Sequence, residues 1–243
     1  MNIRGIFGSV LDWVYPPVCV SCGEPGALLC KDCRSKLPEV GSHFCSVCGK
    51  PLKKGHFCRL CGRSDFRFRA ARAPYLYEGP VSAMIKKLKF SGIRGVALIL
   101  SGLLTDYWKC LGWNDIDLIV PVPLSRKRQA ERGFNQSELI ARNFSKATGI
   151  PCKGGALMKQ RDTQQQVGLH ADERRQNLSG SFAAEKCFIK DKRILLLDDV
   201  MTTGSTFAEC SAVLLDAGAK SVNCLSAATT TENHGKQKMP DAL

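Results

Sequence analysis

Two groups of residues in this 243-residue sequence have the types and spacing for chemistry. The first is a set of four cysteine pairs, Cys19/Cys22, Cys30/Cys33, Cys45/Cys48 and Cys58/Cys61, each with two residues between partners. A Cys-x-x-Cys turn aims two thiolates at one centre, and two such turns supply four sulfur ligands in the tetrahedron that zinc favours. Seven residues separate the first two pairs and nine separate the last two. Two four-cysteine zinc sites are therefore expected, Cys19, Cys22, Cys30 and Cys33 around one ion and Cys45, Cys48, Cys58 and Cys61 around the other. A single zinc or an iron–sulfur centre is the alternative. Pairing in chain order is the simpler arrangement, and spacing alone leaves cross-braced pairing open. Four thiolates leave no position for water, so the ions are expected to be structural. Gly23, Gly49 and Gly62 follow their pairs directly, where a knuckle turn takes positive φ. His43 and His56 read as solvated neighbours, not ligands.

The second group is the run Ile-Leu-Leu-Leu-Asp-Asp-Val-Met-Thr-Thr-Gly-Ser-Thr-Phe, residues 194–207. Four apolar residues lead into Asp198 and Asp199, and Thr202, Thr203, Gly204, Ser205 and Thr206 follow. In a parallel sheet, ligands bind beyond the carboxyl ends of the strands. A tight loop entering a helix presents backbone N–H groups to an anion, Gly204 lets the backbone approach closely, and the hydroxyls add hydrogen bonds. Carboxylates repel phosphate but accept from sugar hydroxyls or hold Mg2+. The pieces together describe a ribose 5-phosphate site. A nucleotide hydrolase reading lacks its G-x-x-x-x-G-K-[ST] partner motif, and a plain strand–turn–helix is the bland alternative.

The elements that must position these groups follow from periodicity. Apolar residues 81, 84, 85 and 88 have helical spacing, and residues 96–111 and Gln136 to Gly149 also read as helices. The segments Asp117–Pro123, Arg193–Asp199 and Ser221–Ala228 are continuous apolar strands, buried on both faces, with shorter strands at residues 75–79 and 181–185. A helix follows the hydroxyl loop and stops at Gly218. Apolar strands alternating with helices specify an α/β fold with a parallel sheet covered on both faces. The organisation expected is a short helix and double cysteine module over residues 1–66, a larger domain over 67–230, and a disordered tail over 231–243. Residues 1–18 read as a short helix ended by Pro16-Pro17, not as a signal peptide.

The net charge is +13, distributed as +4 over residues 1–66, +7 over 67–134, +3 over 135–181 and −1 over 182–243. Such a balance suits a phosphate-bearing partner, nucleic acid above all, and a basic, soluble surface with no partner is the alternative. Arg67, Arg69, Arg72, Lys86, Lys87, Lys89 and Arg132 are the candidate nucleic-acid contacts. Phe66, Phe68, Tyr75 and Tyr77 interleave with some of them, either as base-stacking groups or as strand core. No apolar run approaches the roughly 18 residues a membrane span needs. Cys110, Cys152, Cys187, Cys210 and Cys224 are scattered singly, which a secreted disulfide scaffold would not leave; a reducing cytoplasm is expected.

The run Leu195–Thr206 resembles the phosphoribosyl pyrophosphate (PRPP) signature of type I phosphoribosyltransferases. Together with the segments Tyr77–Gly92, Val120–Ala141 and Arg161–Asn177, the chain resembles the ComF competence proteins, a branch of that fold with an N-terminal zinc module. The resemblance spans Pro16 to about Ala228. It implies Asp198 and Asp199 as ribose-hydroxyl and catalytic acids, and Val200 with Thr202–Thr206 as the 5-phosphate loop. Ser125, Arg126, Lys127 and Arg128 then lie at the pyrophosphate, and Arg161, Thr163, Gln166, Arg174 and Asn177 on the flexible loop that closes over PRPP. Mg2+ would accompany PRPP. The implied function is cytoplasmic handling of incoming single-stranded DNA in natural transformation, beside other competence proteins of helicase-like or DNA-processing type. The alternative is an active phosphoribosyltransferase that transfers the sugar from PRPP and releases pyrophosphate.

Overall fold

The computed structural model describes residues 16–62, 66–160 and 180–231. The expected N-terminal helix, the tail from residue 232, and Arg161, Thr163, Gln166, Arg174 and Asn177 lie outside the described residues. The strands are β1 (Ala70–Arg72), β2 (Tyr75–Leu76), β3 (Leu118–Pro121), β4 (Leu157–Lys159), β5 (Phe182–Ala184), β6 (Arg193–Met201) and β7 (Ser221–Thr229). The helices are α1 (Lys31–Ser35), α2 (Gly79–Phe90), α3 (Gly95–Leu111), α4 (Arg126–Arg132), α5 (Gln136–Thr148), α6 (Lys186–Ile189) and α7 (Ser205–Asp216).

The apolar runs form a parallel sheet in the order β1-β7-β6-β3, with β2 continuing the β1 edge along β7. Side chains alternate across a strand, so β6 feeds two cores. Leu195 and Leu197 enter one with Met84, Leu88, Leu100, Leu104, Ile140 and Phe144 from α2, α3 and α5. Ile194 and Leu196 enter the other with Phe207 and Leu214 from α7. All four β6 residues are fully buried, each worth roughly 1.5–3 kcal/mol relative to exposure. The α/β parallel sheet preceded by a cysteine-rich module, expected from the sequence, is the architecture observed.

On the second face only α7 spans the sheet among the described residues. Part of the remaining cover comes from the cysteine module: Cys45, Cys48 and Cys58 belong to the same core as Val120, Ile194 and Leu196. The contact is close. Ala71 N–H donates to Val47 O at 2.7 Å, and Arg72 donates to Ser46 O at 3.0 Å. A Cβ on Gly49, whose φ is +69°, would stand 2.6 Å from Ala71 O. The first half of the module packs on the other core through Val20, Leu28, Leu29 and Leu37. A module read from sequence as a separate unit is thus interlocked with the sheet.

Three local readings change. The segment around Phe182 is a strand, but β5 pairs antiparallel with β4 in a separate two-stranded sheet. Arg126–Arg132, for which periodicity gave no helix, is a helix capped by Ser125, whose side chain accepts from Arg128 N–H at 3.4 Å. Gly23 and Gly49 have positive φ, whereas Gly62 does not. Among the described residues no helix is long and apolar enough to cross a membrane.

Candidate functional site

Strand β6 delivers the acid pair to the carboxyl edge of the sheet, and each acid is held by a different element. Ser137 Oγ, in the first turn of α5, donates to Asp198 Oδ1 at 2.7 Å, and the Asp199 N–H donates to the same oxygen at 2.9 Å. Helix α5 is fixed there by Asn135, which accepts from Ser137 N–H and donates to Val122 O just beyond β3. Burial, then the neighbouring Asp199 charge, push the Asp198 carboxyl up to about 7, while the Ser137 hydroxyl pulls it down. Asp199 is 4% exposed, and Lys89 Nζ, on a side chain 15% exposed, lies 2.7 Å from its Oδ2. That contact is a charge pairing without hydrogen-bond alignment. The buried Tyr77 hydroxyl lies close enough to feel Lys89, Asp199 and the Ser82 side chain. Burial raises its phenol above the usual range.

The hydroxyl loop lies between β6 and α7. Gly204 is the N-cap of α7 with φ +82° and offers no side-chain cap. The Ser205 N–H donates to Thr203 Oγ1 at 3.4 Å, and the next N–H groups of this 12-residue helix, which lack intrahelical partners, are left for an anion. Thr203 Oγ1 and Ser205 Oγ are 2.8 Å apart. A small pocket is lined by Asp198, Val200, Met201, Thr202, Gly204, Thr206 and Phe207. The structure brings Asp198, Val200, Thr202, Gly204 and Thr206 to one concavity, with Asp199 turned toward Lys89. Ser125 is buried as the α4 cap, Arg126 and Lys127 are exposed, and Arg128 is half-buried.

The candidate nucleic-acid residues separate. Arg67 pairs with Asp216 at 2.6 Å and Arg69 with Asp115 at 3.6 Å, while Arg72 is spent on the cysteine module and lies over Phe44. Phe68 is buried and stacked on Phe66, and Tyr75 and Tyr77 pack on the core. The stretch 66–77 is therefore structural in these contacts, not an open basic and aromatic surface. Lys86 and Lys87 are exposed, but Lys89 turns inward to Asp199. Arg132 donates to Gln136 Oε1 at 3.1 Å and feels the Asp199 charge. Lys89 was read only as a surface contact, and Ser137, Asn135, Gln136 and the Tyr77 hydroxyl had no role assigned from the sequence. The partners of Ser137 and Lys89, Asp198 and Asp199, are remote along the chain, and no local spacing marks them.

The cysteines converge in chain order. The ligand atoms of Cys19, Cys22, Cys30 and Cys33, and of Cys45, Cys48, Cys58 and Cys61, lie within 4.8 Å of one another in each set. Cys22 and Cys30 sulfurs are 3.6 Å apart, as are those of Cys48 and Cys58. A tetrahedron with Zn–S of about 2.3 Å has edges of about 3.8 Å, so both sets fit zinc. Backbone N–H groups support the thiolates: Cys58 N–H donates to Cys45 Sγ at 3.3 Å and Cys30 N–H to Cys19 Sγ at 3.5 Å. Burial opposes the Cys19 thiolate, but the backbone N–H groups of Cys30, Cys22 and Ser21 outweigh it and bring the thiol down to about 6. His43 and His56 are exposed and outside both sets.

A double zinc ribbon domain model matches residues 10–62. The DNA utilization protein YhgH of Escherichia coli O157:H7 is 33% identical over 214 residues, 86% of this chain and 88% of that protein. Competence protein F of Haemophilus influenzae is 31% identical over 79% of this chain and 93% of its own length. Competence protein ComFC of Bacillus subtilis is 28% identical over 80% and 81%. Among solved structures, the B. subtilis glutamine PRPP amidotransferase complexed with ADP and GMP overlaps 58% of this chain and 30% of its own at 22% identity, with a TM-score of 0.41. With relatives above 30% identity aligned along most of both chains, and with the double cysteine module and parallel sheet in place, this chain belongs to the ComF family of competence proteins.

Proposed function

We propose that the chain is a PRPP-binding protein that handles incoming single-stranded DNA in the cytoplasm during DNA uptake. The relatives' names, competence protein and DNA utilization protein, support the DNA half. The observation that carries the PRPP half is the convergence of an acid pair and an uncapped helix N-terminus on one edge of a parallel sheet. The open α7 N-terminus and the Thr202–Thr206 hydroxyls suit a 5-phosphate. Asp198 and Asp199 suit ribose hydroxyls or Mg2+. The donor set fits a cation, because a single ammonium, Lys89, faces two carboxylates, and Asp198 is driven toward its neutral form. When bound, Mg2+ would supply charge compensation between the acids and the pyrophosphate. In this reading Arg126, Lys127 and Arg128, at the start of α4, meet the pyrophosphate charge. The two four-cysteine sets fit zinc in a structural role.

The test is ligand-dependent melting. PRPP with Mg2+ at about 100 times its Kd stabilises the native state by about 2.7 kcal/mol, or about 5–11 °C for a domain of this size. Asp198→Asn keeps an acceptor for Ser137 and should abolish the shift. A full shift in that variant places PRPP elsewhere.

A further inference from the structure

We propose that the seam between residues 86–94 and 126–134 is a platform for single-stranded nucleic acid, with Phe90 as its base-stacking side chain. The proposal rests on the DNA half of the function above and locates it away from the arginines of residues 67–72.

Phe90 ends α2 and is 59% exposed, as exposed as any large apolar side chain among the described residues. It is not a stray hydrophobe. The Arg132 guanidinium lies 5.3 Å from its ring centroid. Arg94 lies 5.0 Å from the Phe134 centroid. These two crossings hold the segments side by side, so their charges form one surface. On these two segments Lys86, Lys87, Arg94, Arg126 and Lys127 are all exposed. No acid occurs between Gly79 and Thr105 or between Leu118 and Ala130, and Glu131 is the one carboxylate within the two segments. A flat ring backed by a guanidinium suits another planar group, and cations on both sides suit a chain of phosphates. Single-stranded nucleic acid alternates those two features; an acidic peptide supplies the charge without the planar groups. The seam adjoins the pocket, because Lys89 leaves the same segment to reach Asp199.

The experiment is fluorescence anisotropy of full-length, zinc-loaded protein with labelled oligothymidylate and with an abasic strand of equal length, at several salt concentrations. Phe90→Ala should weaken oligothymidylate binding by roughly tenfold, within the range for loss of one stacked base, at an unchanged salt slope. Phe90→Trp should retain affinity. On the abasic strand, Phe90→Ala and the wild type should bind alike. Lys86→Ala with Lys87→Ala should weaken both strands and reduce the slope by up to about 0.7 per lost contact. Arg67→Ala should leave affinity unchanged. An unaltered thermal midpoint in Phe90→Ala shows that the fold is intact. Wild-type binding that Phe90→Ala leaves untouched, or loses equally on the abasic strand, overturns the platform alone. Absence of salt-sensitive binding by the wild type overturns the platform and the DNA half of the function together.

Discussion

Lys89 is the residue on which the acid pair depends in the ligand-free protein, and its removal has a defined outcome. Lys89→Met keeps the aliphatic stem and deletes the ammonium 2.7 Å from Asp199. Asp199 is then a carboxylate with 4% exposure beside a second carboxylate, with no cation in contact among the described residues. Breaking a buried pair by removing one partner costs about 3–5 kcal/mol. Lys89 keeps some solvent, so the lower end applies, about 3 kcal/mol, equivalent to about 6–12 °C in the melting midpoint of a domain this size. Adding Asp199→Asn should recover most of the loss, because a buried pair replaced by neutral groups leaves no orphaned charge. Millimolar Mg2+ should also rescue Lys89→Met more than it stabilises the wild type, since a divalent ion can take the place of the ammonium. Calorimetry of the wild type, both single variants and the double variant, with and without Mg2+, closes the cycle. A Lys89→Met midpoint within about 1 °C of the wild type, or a double variant no more stable than Lys89→Met, would refute the idea that Lys89 balances the pair.

Other outcomes follow from the same contacts. Burial raises the Asp198 and Glu209 carboxyls to about 7, so the folded state holds their protons more tightly than the unfolded chain does. Their destabilisation is absent below about pH 4, grows between about pH 4 and 7 at up to about 1.4 kcal/mol per pH unit for each group, and is constant above. Urea midpoints of the wild type should show that fall relative to Asp198→Asn, and parallel profiles would contradict it. Because Cys58 is buried in the core that also contains Ile194 and Leu196, Cys58→Ser or strong chelation should destabilise the whole described fold in one transition. Two well-separated calorimetric transitions would show the module to be independent. Gly49→Ala combines φ +69° with a Cβ 2.6 Å from Ala71 O. It should lower stability by about 1–2 kcal/mol from the backbone conformation alone, and an unchanged denaturation midpoint would remove that packing constraint.

The sequence by itself determined whatever depends on local pattern. Four cysteine pairs at matched spacing specify two tetrahedral sulfur sites, because each knuckle is built from consecutive residues. Continuous apolar strands specify a sheet buried on both faces. An acid pair at a strand end followed by a glycine and hydroxyls specifies a turn into a helix N-terminus. Tertiary structure decided which residues complete these pieces. Lys89 was one of three lysines of similar appearance, and only the packing of α2 on the sheet turns it toward Asp199 while Lys86 and Lys87 face water. Ser137 reaches Asp198 because α5 starts where the chain leaves the end of β3, a juxtaposition set by crossover geometry. The arginines of residues 67–72 carried the charge of a nucleic-acid surface, but Asp216, Asp115 and the carbonyls of Ser46 and Val47 claim them. The pairing of a charged side chain is fixed by long-range packing, and composition counts the charge without saying what neutralises it.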